Sequence, residues 1–167
     1  MHISRAALAF SAAAVIQSLS ASGAQAATAT GQFNVTLTLQ AECRLTSTSN
    51  VAFGTAGVIT TPLTATGSVA VQCTNTTPFN VGLNAGTGSG ATVTNRLMTG
   101  GAATIGYALY RDAGRTLNWG NTVGTDTLSG TGTGQAQTLT VYGTVPVPTT
   151  LPAPGNYSDT VQVTVTY

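Results

Sequence analysis

The sequence predicts an all-β domain, a two-sheet sandwich of immunoglobulin-like size, on three observations. Apolar residues recur at every second position in short runs, as at Phe33, Val35, Leu37 and Leu39, with Asn34, Thr36 and Thr38 between them. Turn signals rich in Gly, Asn and Thr separate these runs. No stretch carries helical apolar spacing, and Thr, Val, Gly and Ala dominate over the long charged residues that decorate surface helices.

The first residues read as a targeting segment. His2 and Arg5 give a weakly basic start, residues 6–16 form an apolar run, and Ala24-Gln25-Ala26 has the small-x-small pattern of a signal-peptidase site. A leader over 1–26 is therefore expected, with the mature chain starting at Ala27. The apolar run is shorter than the ~20 residues a membrane helix needs, and no later stretch reaches that length, so the expectation is an exported protein with no membrane span.

Removing that leader leaves 167 − 26 = 141 residues, enough for one domain with a substantial core. The only histidine, His2, departs with it. Four arginines (Arg44, Arg96, Arg111, Arg115), four acids (Glu42, Asp112, Asp126, Asp159) and no lysine remain, a net charge of 4 − 4 = 0. Nucleic acid and anionic membranes attract basic surfaces, so neither is expected as a partner. With no histidine, no lysine, scattered acids and no GxSxG motif, no catalytic residue, metal ligand or cofactor is expected, and the chain does not read as an enzyme.

The opening strand covers residues 31–40, with the four apolar side chains named above on one face. Residues 41–53 follow with Cys43, Leu45, Val51 and Phe53, and 54–57 form a turn. Residues 66–74 alternate again, placing Val69, Val71 and Cys73 on one face. An even pair of cysteines in an exported chain predicts a Cys43–Cys73 disulfide joining two early strands. A redox or metal site would need CxxC spacing or histidine partners. Closing a loop of about 30 residues stabilises by roughly 3 to 4 kcal/mol in the chain-entropy description.

Phe79, Val81 and Leu83 form the next strand, which runs into a Gly/Ser/Thr loop at 85–90. A phosphate cradle would require a helix signal after that loop, and none follows. Arg96, Leu97 and Met98 lead to a turn at Gly100-Gly101, and Ile105, Tyr107 and Leu109 make a strand. Arg111-Asp112-Ala113-Gly114-Arg115 reads as the bend of a hairpin, with a local ion pair at Asp112. The far side of that hairpin carries Leu117 and Trp119, the latter expected in the core. Residues 120–134 are the least ordered by composition, 138–142 are strand, and 145–154 form an extended proline-rich connection. The closing strand has Tyr157, Val161, Val163, Val165 and Tyr167 on one parity and Thr160, Gln162, Thr164 and Thr166 on the other. Six or seven strands are expected in all. A closing strand at a sheet edge leaves backbone groups and an apolar face in need of a partner.

Four segments in order, GQFNVTLTLQAEC, VQCTN, IGYALYRDAGRTLNWGN and PAPGNYSDTVQVTVTY, resemble the spore coat protein U domain, a family that includes the pilins of archaic chaperone–usher (Csu-type) pili. The resemblance covers nearly all of the expected mature chain. It implies an incomplete immunoglobulin-like β-sandwich that lacks its seventh strand and is completed by a donated N-terminal strand. The implied organisation is a signal peptide at 1–26, a donor strand at 27–40 and the pilin domain at 41–167. A periplasmic chaperone would fill the gap first. The N-terminal strand of the next subunit, a copy or a related pilin, would replace it at an outer-membrane usher. Carried onto this sequence, the donated side chains are Phe33, Val35, Leu37 and Leu39. The groove or chaperone contact comprises Val161, Val163, Val165 and Tyr167. The implied product is a surface pilus serving adhesion and biofilm formation. A secreted coat or glycan-binding sandwich that folds its own first strand into its own groove needs the same amphipathic strand, so the residues leave both readings open.

Overall fold

Alternation of apolar and polar residues builds two antiparallel sheets in the computed structural model, which describes residue 23 and residues 25–167. The leader expected over 1–26 lies almost wholly outside the described residues. Eight strands are present among them: β1 (Cys43–Ser49), β2 (Leu63–Cys73), β3 (Pro78–Leu83), β4 (Arg96–Gly100), β5 (Ala103–Tyr110), β6 (Leu128–Thr131), β7 (Ala136–Val145) and β8 (Val163–Thr166). The larger sheet has the order β1-β2-β7-β5-β4 and the smaller one the order β6-β3-β8. Every pairing is antiparallel.

The core lies between the sheets. The larger sheet turns Val69, Val71, Tyr107, Leu109, Val141 and Val145 inward, and the smaller sheet turns Phe79, Val81 and Leu83 inward; all are buried. The inward residues fall on every second position of their strands, the pattern of a sheet with one face on the core and one solvated. Trp119 fills the middle at 0% exposure, and its indole Nε1 donates to the carbonyl of Val81 at 2.8 Å. Its backbone N–H donates to Leu109, so the predicted hairpin exists as a short bridge, Tyr110 opposite Asn118, beside β5. The disulfide joins Cys43 to Cys73, which face each other across the first rung of the β1–β2 ladder.

Several expectations are corrected. Residues 96–98 do not merely lead to a turn: Arg96–Gly100 is β4, an edge strand paired with β5 in a hairpin whose turn uses Gly101 at φ +61. Residues 120–134 are ordered. Gly120 donates to Asp126, the Asp126 carboxylate accepts from the Thr122 N–H at 2.7 Å, and β6 then pairs with β3. The local ion pair at Asp112 does not form among the described residues. Its carboxylate accepts from the backbone of Thr116 and Leu117, while Arg111 donates to the Thr127 carbonyl and the Arg115 guanidinium lies over the Tyr142 ring. Those hydrogen bonds, the Leu117 N–H first, outweigh desolvation and hold Asp112 below the usual carboxylate range.

Thr38–Tyr167 is one compact unit, with the preceding residues a second. The described residues 23 and 25–37 carry no helix or strand. Residues 31–40, predicted as a strand, carry no strand by themselves. The closing strand is also shorter than its alternation suggested: only Val163–Thr166 is ladder, while Ser158 forms an isolated bridge to Thr99 and the Gln162 N–H is bound by the Asn84 side chain.

An open cleft between the two sheet edges

β8 is an edge strand. It pairs with β3, Val165 opposite Val81 and Val163 opposite Leu83, and among the described residues no strand pairs with its other side. β1 is an edge of the other sheet. After Ser49 the chain leaves β1 and turns inward through residues 50–53, with Val51 and Phe53 packed on the core. Between this segment and β8 the sandwich opens into a cleft of about 410 Å³. Val161 and Val163 form one wall, residues 50–53 the other, and Val69, Leu83, Leu109 and Val141 the floor. A mostly apolar floor beside an unpaired strand edge is what an extended chain needs to bind: the edge supplies main-chain hydrogen bonds, and the cleft takes alternate side chains.

Of the four groove residues expected from the sequence, the structure places Val161 and Val163 on the cleft. Val165 is half-buried against the core on the same strand, and Tyr167 is 59% exposed and lines no part of the cleft. The four expected donor side chains lie on the segment before β1. Phe33 is 87% exposed, Val35 87%, Leu37 89% and Leu39 80%. Large apolar groups on alternate positions give this segment one apolar face.

Two polar groups that the sequence reading passed over hold the cleft in shape. Asp159 sits on its lining, where its carboxylate accepts from the Tyr107 hydroxyl at 2.7 Å, from the Thr87 N–H and hydroxyl at 2.8 Å each, and from the Thr160 N–H at 2.7 Å. Partial burial opposes ionisation, but the four hydrogen bonds outweigh it and hold the carboxyl below its usual range. Burial, and then the bond to this carboxylate, push the Tyr107 phenol well above its ordinary value. Gly86 makes the approach possible: its φ is +84, and a Cβ there would run into the Asp159 carboxylate. One signal was available in the sequence, since Asp159 falls on the same parity as Tyr157, Val161 and Val163.

Arg96 is the second. It is 0% exposed and donates to four backbone carbonyls: Asn84 at 2.8 Å, Val93 at 2.7 Å, Leu83 at 3.0 Å and Trp119 at 2.7 Å. Desolvation lowers its pKa, and the fields of Tyr107, Asp159 and Asp126 oppose that. The guanidinium thereby ties the end of β3, the 84–95 loop and Trp119 together behind the cleft floor.

Comparison with known proteins agrees with this architecture. Protein U of Myxococcus xanthus is 37% identical over 161 residues, which cover 87% of this chain and 89% of that protein. Among solved structures, the chain resembles one in the chaperone–tip adhesion subunit pre-assembly complex CsuC–CsuE, from the archaic chaperone–usher Csu pili of Acinetobacter baumannii. The TM-score is 0.55 at 27% identity over 78% of this chain, which spans 40% of the length of that one. Residues 29–164 match the Spore Coat Protein U domain. The alternating strands, the bridged β1–β2 edge and the open β8 edge are thus those of a member of the spore coat protein U domain family, to which this chain belongs.

Proposed function

We propose that the chain is a structural subunit of a surface pilus, assembled by donor-strand exchange through a chaperone–usher pathway and serving adhesion and biofilm formation. The observation that carries this reading is a pair of complementary halves. Residues 31–40 expose four alternating apolar side chains, and the cleft beside β8 is open and lined by valines and leucines. Burying four such side chains contributes roughly 6 to 12 kcal/mol, and ladder hydrogen bonds along β8 add to that. A head-to-tail contact of this kind does not close on itself, so repeating it makes a fibre.

In this reading residues 1–26 are a signal peptide, 27–40 the donor strand and 41–167 the pilin domain. The chain passes through the periplasm with its cleft covered by a chaperone, as the likeness to a chaperone–subunit complex supports. At an outer-membrane usher, Phe33, Val35, Leu37 and Leu39 of one subunit replace the chaperone in the cleft of the next. Val161 and Val163 receive them, Val165 supports the same strand, and Tyr167 takes its place at the strand's end. A self-filled coat protein would bury the same four side chains in its own cleft, and the likeness to a chaperone–subunit complex favours donation over that reading.

The test is Leu37→Asp. An unpaired charge in a buried groove costs several kcal/mol, so fibre growth stops while the chaperone-bound monomer forms normally. Co-purification with the chaperone and SDS-resistant ladders from unheated surface extracts read the two steps separately. Normal ladders from the variant refute donation by this strand.

A further inference from the structure

The wall of the cleft opposite β8 has no ladder to hold it. Residues 50–53 belong to no strand, yet Val51 and Phe53 are half-buried and their segment lines the cleft. What seats them is a gap in the larger sheet. On the inner face of β2 and β7, where Val69, Val71, Val141 and Val145 point into the core, positions 67 and 143 are glycines, with Ala65 paired to Gly143. A Cβ on Gly143 would lie 2.5 Å from Val51 Cγ1 and 2.9 Å from Phe53 Cζ. A Cβ on Gly67 would lie 2.8 Å from Val51 Cγ2 and 2.7 Å from the Ser49 carbonyl oxygen. Neither glycine has a positive φ, so their backbones suit any residue. Space for Val51 and Phe53 is what each position demands.

We propose that Gly143, with Gly67, sets the width of the cleft by letting Val51 and Phe53 sit flush against the larger sheet, so that these two residues gauge which side chains an incoming strand can bring. The inference rests on the donor-strand reading above and concerns how that site selects its strand. In Gly143→Ala, restoring ordinary contact requires Val51 Cγ1 to retreat by about 0.9 Å, from 2.5 to 3.4 Å. Movement off the larger sheet carries Val51 into the cleft that Val161 and Val163 also line. The cleft narrows while the core beneath it keeps all its side chains.

The experiment uses the full chain carrying Leu37→Asp, so that copies do not fill one another, with a labelled synthetic peptide of residues 31–40 as probe and fluorescence anisotropy as readout. Near-ultraviolet circular dichroism of Trp119 controls for folding. Gly143→Ala is expected to weaken peptide binding at least about fivefold, the lower end of what overpacking costs. Adding Val51→Ala, which removes the clashing methyls, is expected to return affinity to within about threefold of Val51→Ala alone, the non-additivity of residues in contact. A second measurement does not depend on Gly143→Ala folding. With Gly143 intact, Val51→Ala widens the cleft, so a peptide enlarged by Val35→Phe or by Leu37→Phe gains affinity relative to the natural peptide. Equal binding by the Gly143 parent and Gly143→Ala overturns the inference, as does failure of Val51→Ala to rescue, or no gain for either enlarged peptide. Those results leave strand donation standing. No binding of the natural peptide by the parent overturns the donor-strand reading itself, and the inference with it.

Discussion

Arg96→Met replaces the buried guanidinium by an apolar side chain of similar length. The four carbonyls it serves belong to Leu83, Asn84, Val93 and Trp119. A hydrogen bond from a charged donor is worth roughly 1.5 to 3 kcal/mol, so four of them represent about 6 to 12 kcal/mol gross. Against this stands the cost of keeping a cation at 0% exposure, several kcal/mol that the variant recovers. Methionine leaves the carbonyls behind without donors, which is this same loss seen from the acceptor side. The balance is a loss of about 4 kcal/mol, a large fraction of the roughly 5 to 15 kcal/mol that holds a domain folded. For a domain of this size, about 4 °C per kcal/mol translates the loss into a Tm lower by roughly 16 °C. Arg96→Lys should fall between, because three donors on a single nitrogen cannot reach four carbonyls around a planar fork. Urea unfolding followed by fluorescence is the assay, and Trp119, the sole tryptophan and fully buried, reports it without ambiguity. A methionine variant within about 1 kcal/mol of the parent would show that the surrounding backbone finds other partners, and the argument from unsatisfied carbonyls would fall.

Cys43→Ser opens a loop of sequence separation 30 and should lower stability by roughly 3 to 4 kcal/mol and reduce recovery of the protein; two free thiols detected by mass spectrometry in the native protein would contradict the premise. Val163→Asp with Val165→Asp puts charge on half-buried positions beside the core and should leave the chain aggregated or degraded; normal soluble yield would mean that this face meets water. Asp159 has a depressed folded pKa, so its contribution is fully present above the unfolded value of 3.8 and is lost as pH falls through the lower folded value. Asp159→Asn is therefore expected to be less stable than the parent at pH 7, with the difference shrinking below about pH 4; a gap in Tm that stays constant from pH 7 to pH 3 would contradict it.

Local pattern carried much of the fold. Period-two alternation placed β2, β3, β5 and β7, and an even cysteine count in a sequence that reads as exported paired Cys43 with Cys73, because these depend on neighbours along the chain or on simple parity. Composition misled at residues 120–134. Leu128 is the lone large apolar residue of β6, whose strand state comes from pairing with β3, a partner about 50 residues away in sequence. The ion pair expected at Asp112 failed for a similar reason, since nearby backbone N–H groups satisfied the carboxylate before either arginine did. Arg96 and Asp159 were legible only as charges in a chain with few of them, and nothing along the sequence states that four carbonyls or a tyrosine will converge on them.

By itself the sequence determined the class of the fold, the disulfide, and the amphipathic character of residues 31–40 and of the closing strand. These follow from side-chain alternation and from covalent chemistry, which are properties of the chain before it folds. Tertiary structure alone decided that β8 lies at an edge with an open side, that Val161 and Val163 face a cleft while Tyr167 does not, and that glycines at 67 and 143 make room for the wall opposite. A cleft is a relation between segments distant in sequence. Its width depends on contacts of a few ångströms that no periodicity along the chain encodes.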